Sequence, residues 1–182
     1  RLADPDENPI PPGKERLEGA DAIEAIETNA LFPHRLRALA SPIGARIIHF
    51  STDCVFSGRV GGYTEESSED ATDLYGRAKL LGELPAPALT LRTSIVGTEL
   101  TRKLGLVEWY LSQKGTIRGF TRAIFSGVTT REAARLIGRI IDHHPDLAGL
   151  YHVASEPISK FEFLSRLTEA LGRTDISIEP YD

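Results

Sequence analysis

Short apolar runs alternate with amphipathic segments of helical length along this chain, and that alternation limits its fold more than any other feature. Residues 45–50 (ARIIHF) and 88–93 (ALTLRT) lack a regular polar alternation, as expected of strands covered on both faces. The spacing predicts helices over 21–40, 73–84, 101–113, 130–143 and 159–171. Further strands are expected at 116–120, 150–154 and 176–179. Thr130 is the expected N-cap of the fourth helix, and Gly172 the stop of the last. Strand and helix in alternation imply an α/β fold, a parallel sheet with right-handed crossovers and helices on both faces.

Composition narrows the class. The 182 residues are 41% hydrophobic and 26% charged, so the chain can bury a core and is not a disordered one. A net charge of −5 argues against a nucleic-acid partner, which requires a basic face. No apolar run reaches the roughly 18 residues of a membrane span, and no signal peptide opens the chain. Cys54 stands alone, which rules out an internal disulfide and fits a reducing, cytoplasmic compartment. The chain opens on Arg1 and contains no methionine. It reads either as a piece of a longer polypeptide or as a chain whose modified methionines are absent from the sequence. Residues 1–19, with four prolines between Asp4 and Gly13, read as a tail or loop.

The chemistry concentrates between His49 and Glu83. A strand ends in Ser51-Thr52-Asp53, a polar loop follows, and a helix opens with Tyr75 and carries Lys79 one turn later. Residues four apart share a helix face, so phenol and ammonium can reach one pocket. An ammonium beside a phenol is expected to lower its pKa and make it a usable proton donor and acceptor near neutral pH. The hydroxyl of Thr52 can hydrogen-bond the same substrate oxygen. Such a trio suits hydride transfer between a carbonyl carbon and a nicotinamide ring.

Ser51-Thr52-Asp53-Cys54-Val55-Phe56-Ser57-Gly58, followed by Tyr75-Gly76-Arg77-Ala78-Lys79-Leu80-Leu81-Gly82-Glu83, resembles the extended short-chain dehydrogenase/reductase family. The pattern is most similar to its dTDP-4-dehydrorhamnose reductase branch, and the similarity runs from about Ile26 to Gly172. The resemblance implies a Rossmann-like fold, NAD or NADP as cofactor and a keto nucleotide sugar as substrate. It implies Thr52, Tyr75 and Lys79 as catalytic residues. Ser51, Tyr75, Lys79, Thr93 and Ser94 would then border the cofactor, and Asp53, Arg92 and Ile95 the substrate. Asn29 matches an asparagine of the preceding helix. Pro33, four residues on, cannot donate to its carbonyl, which could hold a water leading to Lys79. Pro33 could equally kink or begin the helix.

The departures from that pattern are specific. No G-x-G-x-x-G or G-x-x-G-x-x-G turn occurs in the sequence, so the chain by itself is expected to bind a dinucleotide poorly. The small substrate-binding portion is expected at about 99–128 and 156–182, within a reductase domain spanning 20–182. Cys54 replaces the branch's tyrosine, and Ile95 its tryptophan. Isoleucine can neither stack nor donate a hydrogen bond, which turns the expectation from dTDP-4-dehydrorhamnose toward a related 4-keto nucleotide sugar. An epimerase or dehydratase of the same superfamily is the near alternative, and a non-catalytic binding protein on this fold the distant one. A homodimer is the expected assembly. Glu65, Glu66, Glu69 and Asp70 read as a solvated acidic face, His34, His49 and His152 as structural, His143 and His144 as favourable charge at a helix C-terminus, and Trp109 and Tyr110 as core or oligomer contacts. No metal site is expected.

Overall fold

The computed structural model describes residues 22–101, 103 and 105–182; the expected tail at 1–19 lies outside them. In chain order the helices are α1 (Ala22–Ile26), α2 (Phe32–Ala40), α3 (Leu74–Leu81), α4 (Leu106–Ser112), α5 (Thr130–His143) and α6 (Lys160–Ala170). The strands are β1 (Ile48–Thr52), β2 (Leu89–Thr93), β3 (Ile95–Val96), β4 (Gly115–Phe120), β5 (Ile124–Phe125), β6 (Val128–Thr129), β7 (Gly149–Val153), β8 (Ile158–Ser159) and β9 (Ile176–Tyr181). They fall into two compact units. One contains 22–95 and Val128–Ala154, the other Val96–Gly127 and Ser155–Asp182.

The first unit is built on a parallel sheet in the order β1-β2-β7. Thr52 lies opposite Thr93, and Thr93 opposite Val153, so all three strands finish in line. Open parallel sheets bind ligands at such carboxyl ends. Period-two alternation sorts the side chains. Leu89 and Leu91 point to one face, where they pack with Ile140 of α5 and with Ile48, Leu136, Ile137, Leu147 and Val153. Each fully buried leucine contributes roughly 1.5–3 kcal/mol. Thr90 and Arg92 point to the other face, where Thr90 bonds the backbone of Leu84 and Arg92 meets Glu83, both just beyond α3.

Strand β1 begins three residues later than its apolar run. Pairing starts only where Leu89 N reaches Ile47 O at 2.9 Å. That bond also sets the direction of the backbone. Ile47, His49 and Ser51 turn their peptide groups towards β2, and Ile48, Phe50 and Thr52 turn theirs the other way. Among the described residues β1 pairs with β2 alone.

The second unit has its own core. Tyr110, Ile117, Leu164 and Ile176 are buried together, with Leu106, Trp109, Phe163, Leu167 and Ile178 around them. The Tyr110 hydroxyl donates to Thr168 Oγ1 at 2.9 Å, which makes burial of a phenol tolerable. Strands β4 and β9 pair in parallel, and β5 and β8 antiparallel.

Helix boundaries follow local chemistry. Thr129, not Thr130, caps α5 by accepting from Glu132 N, since two adjacent threonines leave the sequence signal ambiguous by one residue. The first predicted helix is interrupted at Glu27–Leu31 by a π-helical turn, and Pro33 sits in the opening turn of α2, where its missing N–H is not needed. No helix among the described residues is long and apolar enough to cross a membrane.

Two glycines differ in a testable way. A Cβ on Gly82 would stand 1.9 Å from Asn29 O, whereas one on Gly138 in α5 would meet nothing within 4 Å. Gly138→Ala should therefore stabilise by roughly 0.5–1 kcal/mol, and Gly82→Ala should destabilise by roughly 1–3 kcal/mol. Denaturant midpoints measure both, and shifts of the same sign would contradict the close packing of α3 on Asn29.

Candidate active site

Thr52 ends β1 and is buried, while the chain turns through a 3₁₀ segment at Asp53–Val55. Its hydroxyl accepts from Cys54 N at 3.1 Å and so caps that turn. Asp73 caps α3 by accepting from Gly76 N at 2.9 Å. Gly76 lets the first turn of α3 press on this loop, because a Cβ there would stand 2.3 Å from Cys54 O. The glycine after Tyr75 is thus a packing requirement. It sets the Tyr75 phenol beside the Thr52 hydroxyl, which acts on the phenol and itself donates to Asp53 Oδ1 at 3.2 Å.

The electrostatics differ from the sequence expectation. Burial raises the pKa of Tyr75 above 10, the nearby Cys54 adds to the rise, and the Thr52 hydrogen bond opposes it. Lys79 is not among the largest influences on Tyr75. Its ammonium instead donates to Phe50 O at 2.6 Å, on the edge of β1 turned away from β2. Burial lowers the pKa of Lys79, and Glu83 opposes that. Tyr75 is thus a fully protonated phenol at neutral pH, suited to giving a proton to an alkoxide.

Several other predicted site residues are engaged by the protein. Ser51 Oγ donates to Glu83 Oε1 at 2.6 Å. Arg92 donates through Nε to Glu83 Oε1 and through Nη2 to Glu83 Oε2, both at 2.8 Å, and also pairs with Glu69. Its side chain is 2% exposed. Thr93 Oγ1 donates to Val153 O at 2.9 Å, and Ser94 O accepts from Val128 N at 2.9 Å. Asp53 and Ile95 are exposed near the ends of β1 and β2. The Asn29 carbonyl packs against Gly82, beyond the last turn of α3.

The acidic run is exposed, as expected of a solvated face, but three of its four residues also hold specific partners. Glu65 accepts from His152 N at 2.6 Å, Glu69 pairs with Arg92, and Asp70 accepts from Ser57 N at 2.6 Å. Burial opposes ionisation of Glu69, but its bond to Arg92 holds its pKa below the ordinary carboxylate value. The structural role of Glu83 and Glu69 was missed in the sequence. The available signal was Arg92 itself, since a guanidinium inside the apolar run LTLRT requires a carboxylate partner. No group of three His, Cys, Asp or Glu among the described residues could hold a metal ion.

A parallel sheet with helices on both faces, with a threonine at a strand end facing a Tyr-x-x-x-Lys helix, defines the Rossmann-like extended short-chain dehydrogenase/reductase class. Within it, the family described as RmlD substrate binding domain matches residues 18–182, and the chain belongs to that family. It is 32% identical over 138 residues to the spore coat polysaccharide biosynthesis protein SpsK of Bacillus subtilis, covering 71% of this chain and 48% of that protein. The structure of a hypothetical dTDP-4-dehydrorhamnose reductase from Sulfolobus tokodaii superposes with a TM-score of 0.75 at 28% identity, covering 89% of this chain and 60% of that one. A dTDP-4-dehydrorhamnose reductase from Bacillus anthracis, solved in complex with NADP, shares the fold with a TM-score of 0.72 at 23% identity, over 89% of this chain and 61% of that one. The chain thus spans about half to three-fifths of the length of these proteins.

His49 supplies a pH test of this face of the sheet. Burial and the Lys79 charge lower its pKa from 6.5 to about 4, Glu83 opposes this, and its Nε2 is buried without a hydrogen-bond partner. As pH falls from 6.5 towards 4, the unfolded chain takes up a proton that folded His49 refuses, so stability falls. The depressed carboxylates Glu65 and Glu69 act lower, below 4.5. Melting temperature should therefore drop between pH 6.5 and 4.5, and His49→Gln should flatten the drop. An unchanged slope in that variant would contradict a buried neutral imidazole.

Proposed function

We propose that this chain is the catalytic and substrate-binding part of an NAD(P)H-dependent reductase acting on a 4-keto nucleotide sugar. The observation that carries the reading is the close packing of the first turn of α3, which bears Tyr75, on the loop just after Thr52 at the carboxyl end of the sheet, with Lys79 one turn further along the same helix. A nicotinamide dinucleotide, when bound, supplies the hydride to the carbonyl carbon. Tyr75 gives its proton to the oxygen that becomes the alcohol, and Thr52 donates a hydrogen bond to that oxygen. Lys79, once turned from Phe50 O, holds the ribose. Ser51, Thr93 and Ser94 shape the floor beneath the cofactor through the backbone. Asp53 and Ile95, exposed where the strands end, face the sugar, and the carbonyl of Asn29 belongs to a proton relay reaching Lys79. The second unit, with β4, β9 and α6, takes the role of holding the nucleotide sugar. We place the protein in the reducing cytoplasm on the single Cys54. A homodimer would form through the apolar stripe of Phe32, Leu36 and Leu39 on α2, which are 55%, 42% and 74% exposed. The superfamily's epimerase and dehydratase chemistry uses the same tyrosine and is separated by its product.

Turnover is measured by loss of nicotinamide absorbance with a 4-keto nucleotide sugar, for the chain alone and for the chain fused behind a dinucleotide-binding βαβ half. Tyr75→Phe should lower kcat by about 10²- to 10⁴-fold with little change in KM. Lys79→Ala should impair both kcat and cofactor affinity. Thr52→Val should be mildest, near the roughly 0.5–1.5 kcal/mol of one hydrogen bond. Wild-type turnover in Tyr75→Phe would exclude the mechanism. Binding of the sugar with no turnover in any form would favour the non-catalytic reading. Light scattering tests the assembly: a dimer is expected, and a monomer unaffected by Leu39→Glu would exclude this interface.

A further inference from the structure

We infer that Arg92 is a positioning residue that holds both ends of the segment carrying Tyr75 and Lys79, and does not contact substrate. The inference rests on the reductase reading for its functional meaning, but its geometry stands apart. Glu69 precedes α3 in the chain and Glu83 follows it, and one guanidinium on β2 binds both. Glu83 also accepts from Ser51, the neighbour of Thr52 on β1. A single charged group therefore ties the loop before the helix, the residue after the helix and the strand end that meets the phenol.

The surroundings of Arg92 close it off from solvent. Its side chain is 2% exposed, the bidentate bond to Glu83 uses Nε and Nη2, and Cζ lies 5.2 Å from the centroid of the Phe56 ring. Nη1 is buried without a hydrogen-bond partner. Phe56 stacks on Tyr63 at 4.3 Å and meets His152 edge-on at 5.7 Å, so the loop bearing Glu69 also packs against the guanidinium from the aromatic side. Geometry of this kind selects arginine. A lysine ammonium is a point charge and cannot span two carboxylates in one plane. Both carboxylates would draw the same cation, so their effects on the segment should be coupled.

The test uses this chain without cofactor and reads two local quantities. The first is amide hydrogen exchange over Leu74–Leu81, compared with that over Gly149–Val153. The second is the ultraviolet titration of the Tyr75 phenol, assigned by difference from Tyr75→Phe. The charged and titratable groups that act most strongly on that phenol are Cys54, Asp53 and Asp73, none of which is altered. Glu69→Gln should speed exchange in Leu74–Leu81 by roughly tenfold, leave Gly149–Val153 unchanged, and return the phenol towards its ordinary pKa. Arg92→Lys should behave like Glu69→Gln and not like wild type. The double variant Glu69→Gln with Glu83→Gln should match Arg92→Met, with no additive excess. If Arg92→Met fails to fold, the partly exposed Glu69 still decides the matter. Uniform destabilisation with an unchanged Tyr75 titration would overturn the inference, as would loss of nucleotide-sugar binding with exchange unaltered. Absence of reductase turnover, with these local effects present, would overturn the functional reading and leave the positioning role standing.

Discussion

A guanidinium set into the face of a sheet must be neutralised where it stands, because desolvating an unpaired charge costs several kcal/mol. Around Arg92 that requirement arranges the site. It draws Glu83 to the end of α3 and Glu69 in from the loop, and Glu83 in turn fixes Ser51. Burial opposes the charge on Arg92, and the two carboxylates more than restore it, so its pKa stands above its ordinary value. With both flanks tied, α3 descends onto the turn after β1 as closely as Gly76 permits, and Tyr75 comes beside the end of β1. The apolar face, with Leu89, Leu91 and Ile140, supplies burial energy. The polar face supplies direction.

Much of this was legible in the chain. The runs at 45–50 and 88–93 announced parallel strands, and the spacing of Tyr75 and Lys79 put both on one face of a helix. Two-residue strands such as β5 and β8 are too short to leave a periodic signal, and they were not found. The partners of charges were also hidden, because Glu69 and Arg92 are distant in sequence and an acidic run reads as a solvated surface unless its cation is known. Most instructive is the phenol. Sequence spacing set an ammonium beside it, yet sharing a face does not fix where a flexible lysine ends, and Lys79 reaches a backbone carbonyl.

That carbonyl has its own meaning. Phe50 O lies on the edge of β1 that β2 leaves unused, and an unpaired edge carbonyl is a strong acceptor for any donor within reach. Lys79 thus serves the strand edge here, whereas the proposed reaction requires it on a ribose. In the proposed reaction the ammonium would have to leave Phe50 O to reach a ribose.

In the proposed reaction Thr52 and Tyr75 converge on one carbonyl oxygen. The most direct measurement is the infrared carbonyl stretch of a 4-keto nucleotide sugar, isotopically labelled at the keto carbon, when bound to the protein. Two aligned donors polarise the carbonyl, so the account predicts a stretch lower than in water that moves back in stages in Thr52→Val and Tyr75→Phe. A bound carbonyl with the frequency it has in water, or one indifferent to both substitutions, would contradict the account.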